Sequence, residues 1–350
     1  MASDDRLRGT AFGMASAVLF GLSAPFAKLL LAGTGPLSLA GLLYLGAGAA
    51  FLTVHTSPAE AKLTRSDAPI LAAAVLAGAA LAPPLMLWGL LRVSGLTGSL
   101  LLNLEAPFTM ALAVALFGEH LSRREALSAA LLVLGGAIVG AHGERGLTGS
   151  LLGALAIGLA CLCWAVDNNL SARLSLRDPV TVVRIKMLSA GAVNLAAAAA
   201  FEPRLPGARF ALGALVLGAF SYGASYLFYL KAQRLLGAAR QGALFALAPF
   251  AGAALAMPLL GDRPSLSDLA GAVLMAVGLV LLVRARHGHW HTHQILEHEH
   301  LHLHDAHHQH AHDPPARDGA QAEPHSHAHQ HGATDHEHPH VSDAHHKHKH

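Results

Sequence analysis

Residues 91–108 read LRVSGLTGSLLLNLEAPF, and residues 233–250 read QRLLGAARQGALFALAPF. Aligned end to end, the two stretches share a final Ala-Pro-Phe and three earlier identities: Arg92 with Arg234, Gly95 with Gly237, and Leu102 with Leu244. Farther along, ALFGEHLS resembles PLLGDRPS, and Gly135 falls opposite Gly278 after a slip of one residue. Self-similarity at one long spacing indicates that the chain is a duplication.

The composition is that of an integral membrane protein. Of 350 residues, 53% are hydrophobic and 13% are charged, and the mean hydropathy is +0.43. Ordinary soluble domains carry about 25% charged residues. The two cysteines, Cys161 and Cys163, both lie in an apolar stretch, so we expect no disulfide framework.

Apolar runs of about 20 residues are long enough to cross about 30 Å of hydrocarbon. The sequence contains ten such runs, at about 11–31, 36–54, 69–90, 95–117, 125–142, 149–169, 179–200, 209–230, 239–260 and 267–284. Each copy of the duplication holds five of them. We therefore predict an all-α integral membrane fold of two five-helix repeats, residues 10–142 and 149–284, followed by a tail at 287–350. The short connections leave little room for a soluble catalytic domain, so we expect no enzyme.

The positions of basic residues predict the orientation of the helices. If the N-terminus is cytoplasmic, thirteen Lys and Arg residues flank the helices on the inner side and five on the outer side. Ten helices then return the C-terminus to the cytoplasm, as in a multi-pass protein of a bacterial-type inner membrane. Five crossings per repeat make the second repeat enter from the opposite side. Such inverted repeats are the design of secondary transporters, so the topology predicts transport.

One segment of each repeat carries a family resemblance. NLEAPFTMALAVALFGEHLSRREALSAALLVLGGAIV, which begins at Asn103, resembles the signature of EamA-type members of the drug/metabolite transporter superfamily. The second copy, ALAPFAGAALAMPLLGDRPSLSDLAGAVLMAVGLVLL, is similar but has Leu247 in place of Glu105. The resemblance covers about residues 10–284. It implies a ten-helix carrier with both termini cytoplasmic, often an exporter of amino acids or other small metabolites.

Polar side chains within membrane helices are candidates for substrate or coupling-ion binding, because a charge there costs about 2.5–3.5 kcal/mol on insertion scales. Asn103 and Glu105 lie in the fourth helix beside Pro107, whose missing N–H loosens the helix and frees a carbonyl. Glu105 is also the best candidate for proton coupling. Its alternative role is that of a packing carboxylate paired with a neighbouring Arg or Lys.

Further candidates lie in the second repeat. Asp167 and Asn168 interrupt the sixth helix, where they either line a cavity or cap the inner end of the helix. Lys186 lies in the seventh helix and either faces the substrate or extends toward the lipid headgroups. Tyr222 and Tyr226 belong to an aromatic stripe in the eighth helix, which fits cavity lining, packing or an interfacial belt.

One acid lies in the turn before the fifth helix of each repeat. Glu119 and Asp262 lie in tight turns, where the exposed N–H groups of the following helix stabilise a carboxylate. We interpret both acids as structural.

The tail holds 23 of the 26 histidines. It carries nine acidic residues against three basic ones, which argues against nucleic acid and favours a divalent cation. Without apolar periodicity it is expected to be disordered in the absence of a ligand. Neutral imidazoles bind Zn²⁺, Ni²⁺ and Co²⁺. The candidate metal ligands are His298, His300, His302, His304, His307, His308, His310, His312, His325, His327, His329 and His331.

Three functions compete on the sequence. The leading hypothesis is a gradient-coupled exporter of small metabolites with a metal-binding cytoplasmic tail. The alternatives are a divalent-metal exporter that the tail supplies, and a metal-responsive sensor or metal buffer. The sequence has no GxxxxGKS motif, so ATP is not the expected energy source. We expect no required cofactor. The expected partners are a small-molecule substrate, the lipid bilayer and divalent metal ions. A homodimer is compatible with the sequence.

Overall fold

The structure, a computed structural model, describes residues 3–56, 60–117, 121–141, 147–174, 177–236, 238–284, 287–293, 296–302, 325–331 and 334–340. Its α-helices are α1 (Ser3–Gly21), α2 (Ser23–Leu30), α3 (Pro36–Leu52), α4 (Ala68–Ala74), α5 (Ala82–Leu90), α6 (Gly95–Leu101), α7 (Glu105–Phe117), α8 (Arg123–Ala141), α9 (Leu147–Leu174), α10 (Pro179–Phe201), α11 (Ala208–Leu217), α12 (Ser225–Leu236), α13 (Ala238–Phe245), α14 (Ala248–Leu260) and α15 (Leu266–Arg284).

The fifteen helices correspond to the ten predicted membrane segments, since five of these segments consist of two helices each. The broken segments are α1–α2, α4–α5, α6–α7, α11–α12 and α13–α14. Within the described residues, nine segments are long and apolar enough to cross a membrane by length and composition. The remaining one, α3, is a shorter apolar helix of 17 residues. The predicted all-α membrane fold is confirmed for this part of the chain.

Four of the five breaks recur at equivalent places in the two repeats, whereas the break between α1 and α2 has no counterpart in the continuous α9. The third segment of each repeat contains a π-helical turn, at Val75–Leu81 and at Gly218–Ala224. The fourth segment of each repeat breaks just before its Ala-Pro-Phe, and α7 and α14 begin there with Pro107 and Pro249 in their first turns. Proline is favoured in a first turn because no N–H is needed there.

Contacts between equivalent helices also come in matched pairs. A Cβ atom on Gly48 would lie 2.6 Å from Leu188, and one on the equivalent Gly191 would lie 2.7 Å from Leu45. Gly48 and Leu45 of α3 correspond to Gly191 and Leu188 of α10, so the two contacts are equivalent in the two repeats. This pairing is what a two-fold relation between the repeats requires.

All helices other than α8 and α15 form two bundles, and each bundle contains helices from both repeats. In the first bundle, α1 packs against α12, α13 and α14, and α3 packs against α11 and the turn at Gly218–Ala224. In the second bundle, α9 packs against α4, α5, α7 and the turn at Val75–Leu81, which also contacts α10. We assign α1–α3 and α11–α14 to the first bundle and α4–α7, α9 and α10 to the second. The two bundles meet where α3 packs against α10 and α6 packs against α14. Helices α8 and α15 pack against each other.

The described part of the tail consists of paired strands. Four strands are β1 (His287–His293), β2 (Leu296–His302), β3 (His325–His331) and β4 (Thr334–His340). β1 pairs antiparallel with β4, and β2 pairs antiparallel with β3. The alternation of histidine with other residues has the period of two that a strand imposes on its side chains.

Candidate functional site

The polar centre of the fold lies next to two consecutive prolines, Pro83 and Pro84, in the third segment. In a π-helical turn each carbonyl pairs with the N–H five residues farther along the chain. For Gly78 that residue is Pro83, and for Ala79 it is Pro84, and neither proline has an N–H. Two carbonyls of the turn at Val75–Leu81 therefore need donors from elsewhere in the fold.

Side chains from three other helices supply these donors. Trp164 Nε1 of α9 lies 2.8 Å from the Gly78 carbonyl oxygen, and Tyr44 Oη of α3 lies 3.3 Å from it. Asn194 Nδ2 of α10 donates to the Ala79 carbonyl over 2.9 Å. The proline pair thus fixes where α3, α9 and α10 meet the third segment.

An ion pair lies beside this turn. Lys186 Nζ is 2.5 Å from each carboxylate oxygen of Asp167. Ser171 Oγ donates to Asp167 over 2.9 Å and lies 3.5 Å from Lys186 Nζ. The side chains of Asp167 and Lys186 are 8% and 17% exposed, so both charges are largely removed from solvent. Each charge offsets part of the desolvation penalty of the other, and this penalty would be large for an isolated buried charge.

A second carboxylate lies next to the ion pair. Glu105 is the first residue of α7, after the 3₁₀ turn at Leu102–Leu104, and its carboxylate accepts a hydrogen bond of 2.7 Å from Asn168 Nδ2. Asn168 is exposed, whereas its neighbour Asp167 is buried. Glu105 also lies within electrostatic range of both Asp167 and Lys186, so the two carboxylates and the lysine form one charged cluster. We call Glu105, Asp167, Asn168 and Lys186 the charged cluster below.

An aromatic cluster occupies the first bundle. Tyr222 contacts Tyr44 and Phe20, with ring centroids 5.7 Å apart in both cases. Tyr226 stacks on Tyr229 with centroids 5.9 Å apart. The hydrogen bond from Tyr44 to Gly78 connects this cluster to the second bundle, which holds the charges. The two bundles therefore present different chemistry: one aromatic and the other charged.

The structure brings together some of the candidate residues and separates others. Glu105 accepts a hydrogen bond from the Asn168 amide and also lies within electrostatic range of Lys186, the kind of basic partner that its alternative packing role requires. Asn103 lies apart from the charged cluster, since its amide donates to Leu100 O over 3.0 Å and reaches Met275 Sδ at 3.7 Å. That sulfur belongs to α15, so Asn103 helps to hold the fourth segment against α15. Tyr222 and Tyr226 lie in the aromatic cluster.

Sequence reasoning did not select several residues that complete this region. Tyr44, Gly78, Asn194 and Ser171 are among them, and each belongs to a different segment from at least one of its partners. The one local signal was the Pro83-Pro84 pair, which removes two adjacent helical donors. It could have indicated free carbonyls, but not which side chains would reach them.

The structure describes only some of the candidate metal ligands. Five of them lie outside the described residues: His304, His307, His308, His310 and His312. The others lie on paired strands, whose register places His298 opposite His329, His300 opposite His327, and His302 opposite His325. In the part of the chain that the structure describes, no group of three or more His, Cys, Asp or Glu residues is placed to hold a metal ion.

Comparisons with known proteins found a family, a relative and a solved structure that resemble this chain. The model of the EamA-like transporter family matches residues 7–141 and again residues 151–284. An uncharacterized transporter of Methanothermobacter thermautotrophicus (strain Delta H) is 28% identical, over 79% of this chain and 86% of its own. A solved crystal structure described only as that of a protein shares the fold, with a TM-score of 0.55 and 20% identity over 78% of this chain and 95% of that one. With its family model matched once in each half, the chain belongs to the EamA-like transporter family.

Proposed function

We propose that this transporter exports small metabolites such as amino acids across a bacterial-type inner membrane, with both termini in the cytoplasm. The observation that carries the proposal is the charged cluster, which places a cation and two carboxylates together within membrane segments. Charged groups at such depth are costly and mark substrate or ion pathways. A zwitterion offers an ammonium and a carboxylate, and both find opposite charges in this cluster.

The neighbouring bundle suits the rest of such a substrate. Tyr44, Tyr222 and Phe20 form a contiguous aromatic surface that meets the second bundle at Gly78. Aromatic rings cover apolar groups without hydrogen-bonding demands, and tyrosine adds a polar edge. We therefore propose that a metabolite lies between the bundles, with its charged head toward Lys186 and Asp167.

The matched contacts between repeats support transport by alternating access. If the two bundles rock against each other, so that the repeats exchange conformations, a site between the bundles is exposed first on one side of the membrane and then on the other. The exposed Asn168 beside the partly buried Glu105 is consistent with a water-filled cavity, because both groups would be unfavourable against lipid. We assign proton coupling to Glu105, which combines this position with a single amide donor.

We further propose that the tail binds divalent cations such as Zn²⁺, Ni²⁺ or Co²⁺. The support is the density of histidine in the sequence and the register of β2 with β3, which places histidine positions opposite one another. In this proposal the tail is a cytoplasmic accessory to a complete carrier. Export of the metal itself is the second candidate function, and its support is the tail alone. A sensing or buffering role has the same support.

Growth of a deletion strain separates these candidates. The strain is challenged with nickel, cobalt, zinc and a panel of amino acids, and is complemented with the full chain or with residues 1–286. We expect both proteins to relieve toxicity of an amino acid. Relief of metal toxicity by the full chain alone, with no effect on any amino acid, would favour the metal exporter or the metal buffer instead, and a fall in the cellular metal content would distinguish export from buffering.

A further inference from the structure

Gly78 contacts the Asp167 carboxylate more closely than any other residue type would allow. A Cβ atom at position 78 would lie 1.9 Å from Asp167 Oδ2, 2.3 Å from its Cγ and 2.5 Å from its Cβ. The last distance matters most, because the Cβ atom of Asp167 is fixed to the α9 backbone. A rotation of the aspartate side chain would therefore not remove the overlap, and the two helices would have to separate.

Neither side of this contact is free to move. The Gly78 carbonyl is held by Trp164 and Tyr44, and Trp164 lies on the same helix as Asp167, one turn earlier. Asp167 is held in turn by Lys186 and Ser171. The π-helical turn thus contacts α9 with both its backbone oxygen and its Cα atom. Glycine at position 78 is what permits this approach.

We propose that Gly78 is a positioning residue that sets the charge of the transport site. By leaving room for the Asp167 carboxylate, it keeps Lys186 paired, so that the cation and the anion are presented together. A side chain at position 78 forces the turn and α9 apart, and the resulting shift of α9 carries the Asp167 carboxylate away from Lys186, which is left as an unpaired cation. The substrate preference then moves from zwitterions toward net anions. This inference rests on the proposed function, because it concerns the same site.

Chemical labelling of Lys186 tests the inference without any knowledge of the substrate. The full-length protein, purified in detergent, is treated with acetic anhydride, and acetylation of Lys186 is followed by peptide mass spectrometry. An amine held by a carboxylate retains its proton and reacts slowly. We expect Gly78→Ala to raise the labelling rate of Lys186 by at least about tenfold, since it disrupts a largely buried ion pair.

Gly158→Ala is the matched control. Gly158 lies on α9, and the nearest atom to a Cβ there, on Leu104, would be 4.0 Å away. This variant should label like the wild type. An equal rate in Gly78→Ala and the wild type overturns the proposal, and so does an equal increase in Gly158→Ala.

A second pair of variants separates positioning from general disruption. Asp167→Gly removes the side chain that a Cβ at position 78 would meet, so we expect fast labelling of Lys186 in this variant and no further increase when Gly78→Ala is added. If Gly78→Ala alone does not fold, the double variant should recover folding, as judged by a monodisperse elution profile. An additive effect, or a double variant that also fails to fold, overturns the proposal.

The labelling result is independent of transport. If no amino acid is carried but Lys186 is released as expected, the proposed substrate class is wrong and the positioning role stands. If amino acids are carried but labelling is unchanged by Gly78→Ala, the positioning role is wrong.

Discussion

Glu105 and Asp167 are both carboxylates in the membrane region, but their partners give them different roles. Asp167 is paired with Lys186 at 2.5 Å and also accepts from Ser171. Among the hydrogen bonds found in the described residues, the Glu105 carboxylate accepts one, from Asn168. A carboxylate outside a direct ion pair takes up a proton at lower cost than one that contacts a cation directly. At the residue scale, this difference is why we assign coupling to Glu105.

Replacement of Glu105 by glutamine should abolish flux that depends on a pH gradient. Glutamine keeps the size and the acceptor oxygen, so Asn168 retains a partner, but it cannot exchange a proton. Uptake of the amino acid found by the growth assay is measured in proteoliposomes with and without a pH gradient. Glu202→Gln serves as the control, since Glu202 accepts from the backbone N–H groups of Leu37 and Ser38. Unchanged gradient-driven flux in Glu105→Gln would remove the coupling assignment.

Removal of one partner of the ion pair should cost more stability than removal of both. Lys186→Met leaves the Asp167 carboxylate buried without its cation, at a cost of about 3–5 kcal/mol. Lys186→Met with Asp167→Leu should recover most of that loss. The free energy of unfolding is measured by SDS titration in mixed micelles, and Lys231→Met, at an exposed lysine, should change it little. A double variant as unstable as Lys186→Met would contradict the pairing.

At the scale of elements, helix ends are capped both within repeats and between them. Ser122 with Glu125 caps α8, and Ser265 with Asp268 caps α15, through reciprocal hydrogen bonds at equivalent positions. Asp262 was expected at the start of α15. Its carboxylate instead accepts from the N–H of Leu96, at the start of α6 in the other repeat, over 2.8 Å. The reason is that the nearer position is already filled by Asp268. Glu119 lies outside the described residues.

Loss of the Asp262 carboxylate should destabilise the fold by about 1 kcal/mol, the usual effect of removing a helix cap. Asp262→Ala removes the acceptor for Leu96 N, and Asp262→Asn keeps an acceptor oxygen, so the asparagine variant should lose less. The same SDS titration measures both. Arg263→Ala, at the exposed neighbouring position, is the control. Equal stability of Asp262→Ala and the wild type would show that this bond contributes nothing.

At the scale of the whole molecule, the carrier and the tail have separate patterns. The described residues between 3 and 284 form membrane segments in matched pairs, and the described part of the tail contributes two pairs of strands rich in histidine. A division of this kind allows the tail to be removed without loss of any residue of the charged cluster. Transport and metal binding should therefore be separable by truncation.

Metal binding should depend on the tail and on pH. We expect isothermal titration with Ni²⁺ or Zn²⁺ to detect binding to the full chain at pH 7.5 and none to residues 1–286. At pH 5.5 binding to the full chain should weaken strongly, because histidine ordinarily titrates near about pH 6.5 and a protonated imidazole cannot coordinate a metal. Equal binding by both proteins would place the metal in the carrier instead.

The sequence alone determined the membrane class, the helix segments, the duplication and the transporter family. These properties follow from the lengths of apolar runs and from repeated residues such as Ala-Pro-Phe, which can be read without knowing how helices pack. The tertiary structure decided which side chains meet. The Asp167–Lys186 pair, the contact of Gly78 with Asp167 and the cap from Asp262 to α6 depend on the rotation and axial position of helices far apart in the chain. A sequence pattern specifies the face of one helix, but only the packing of the bundles determines which helix lies against it.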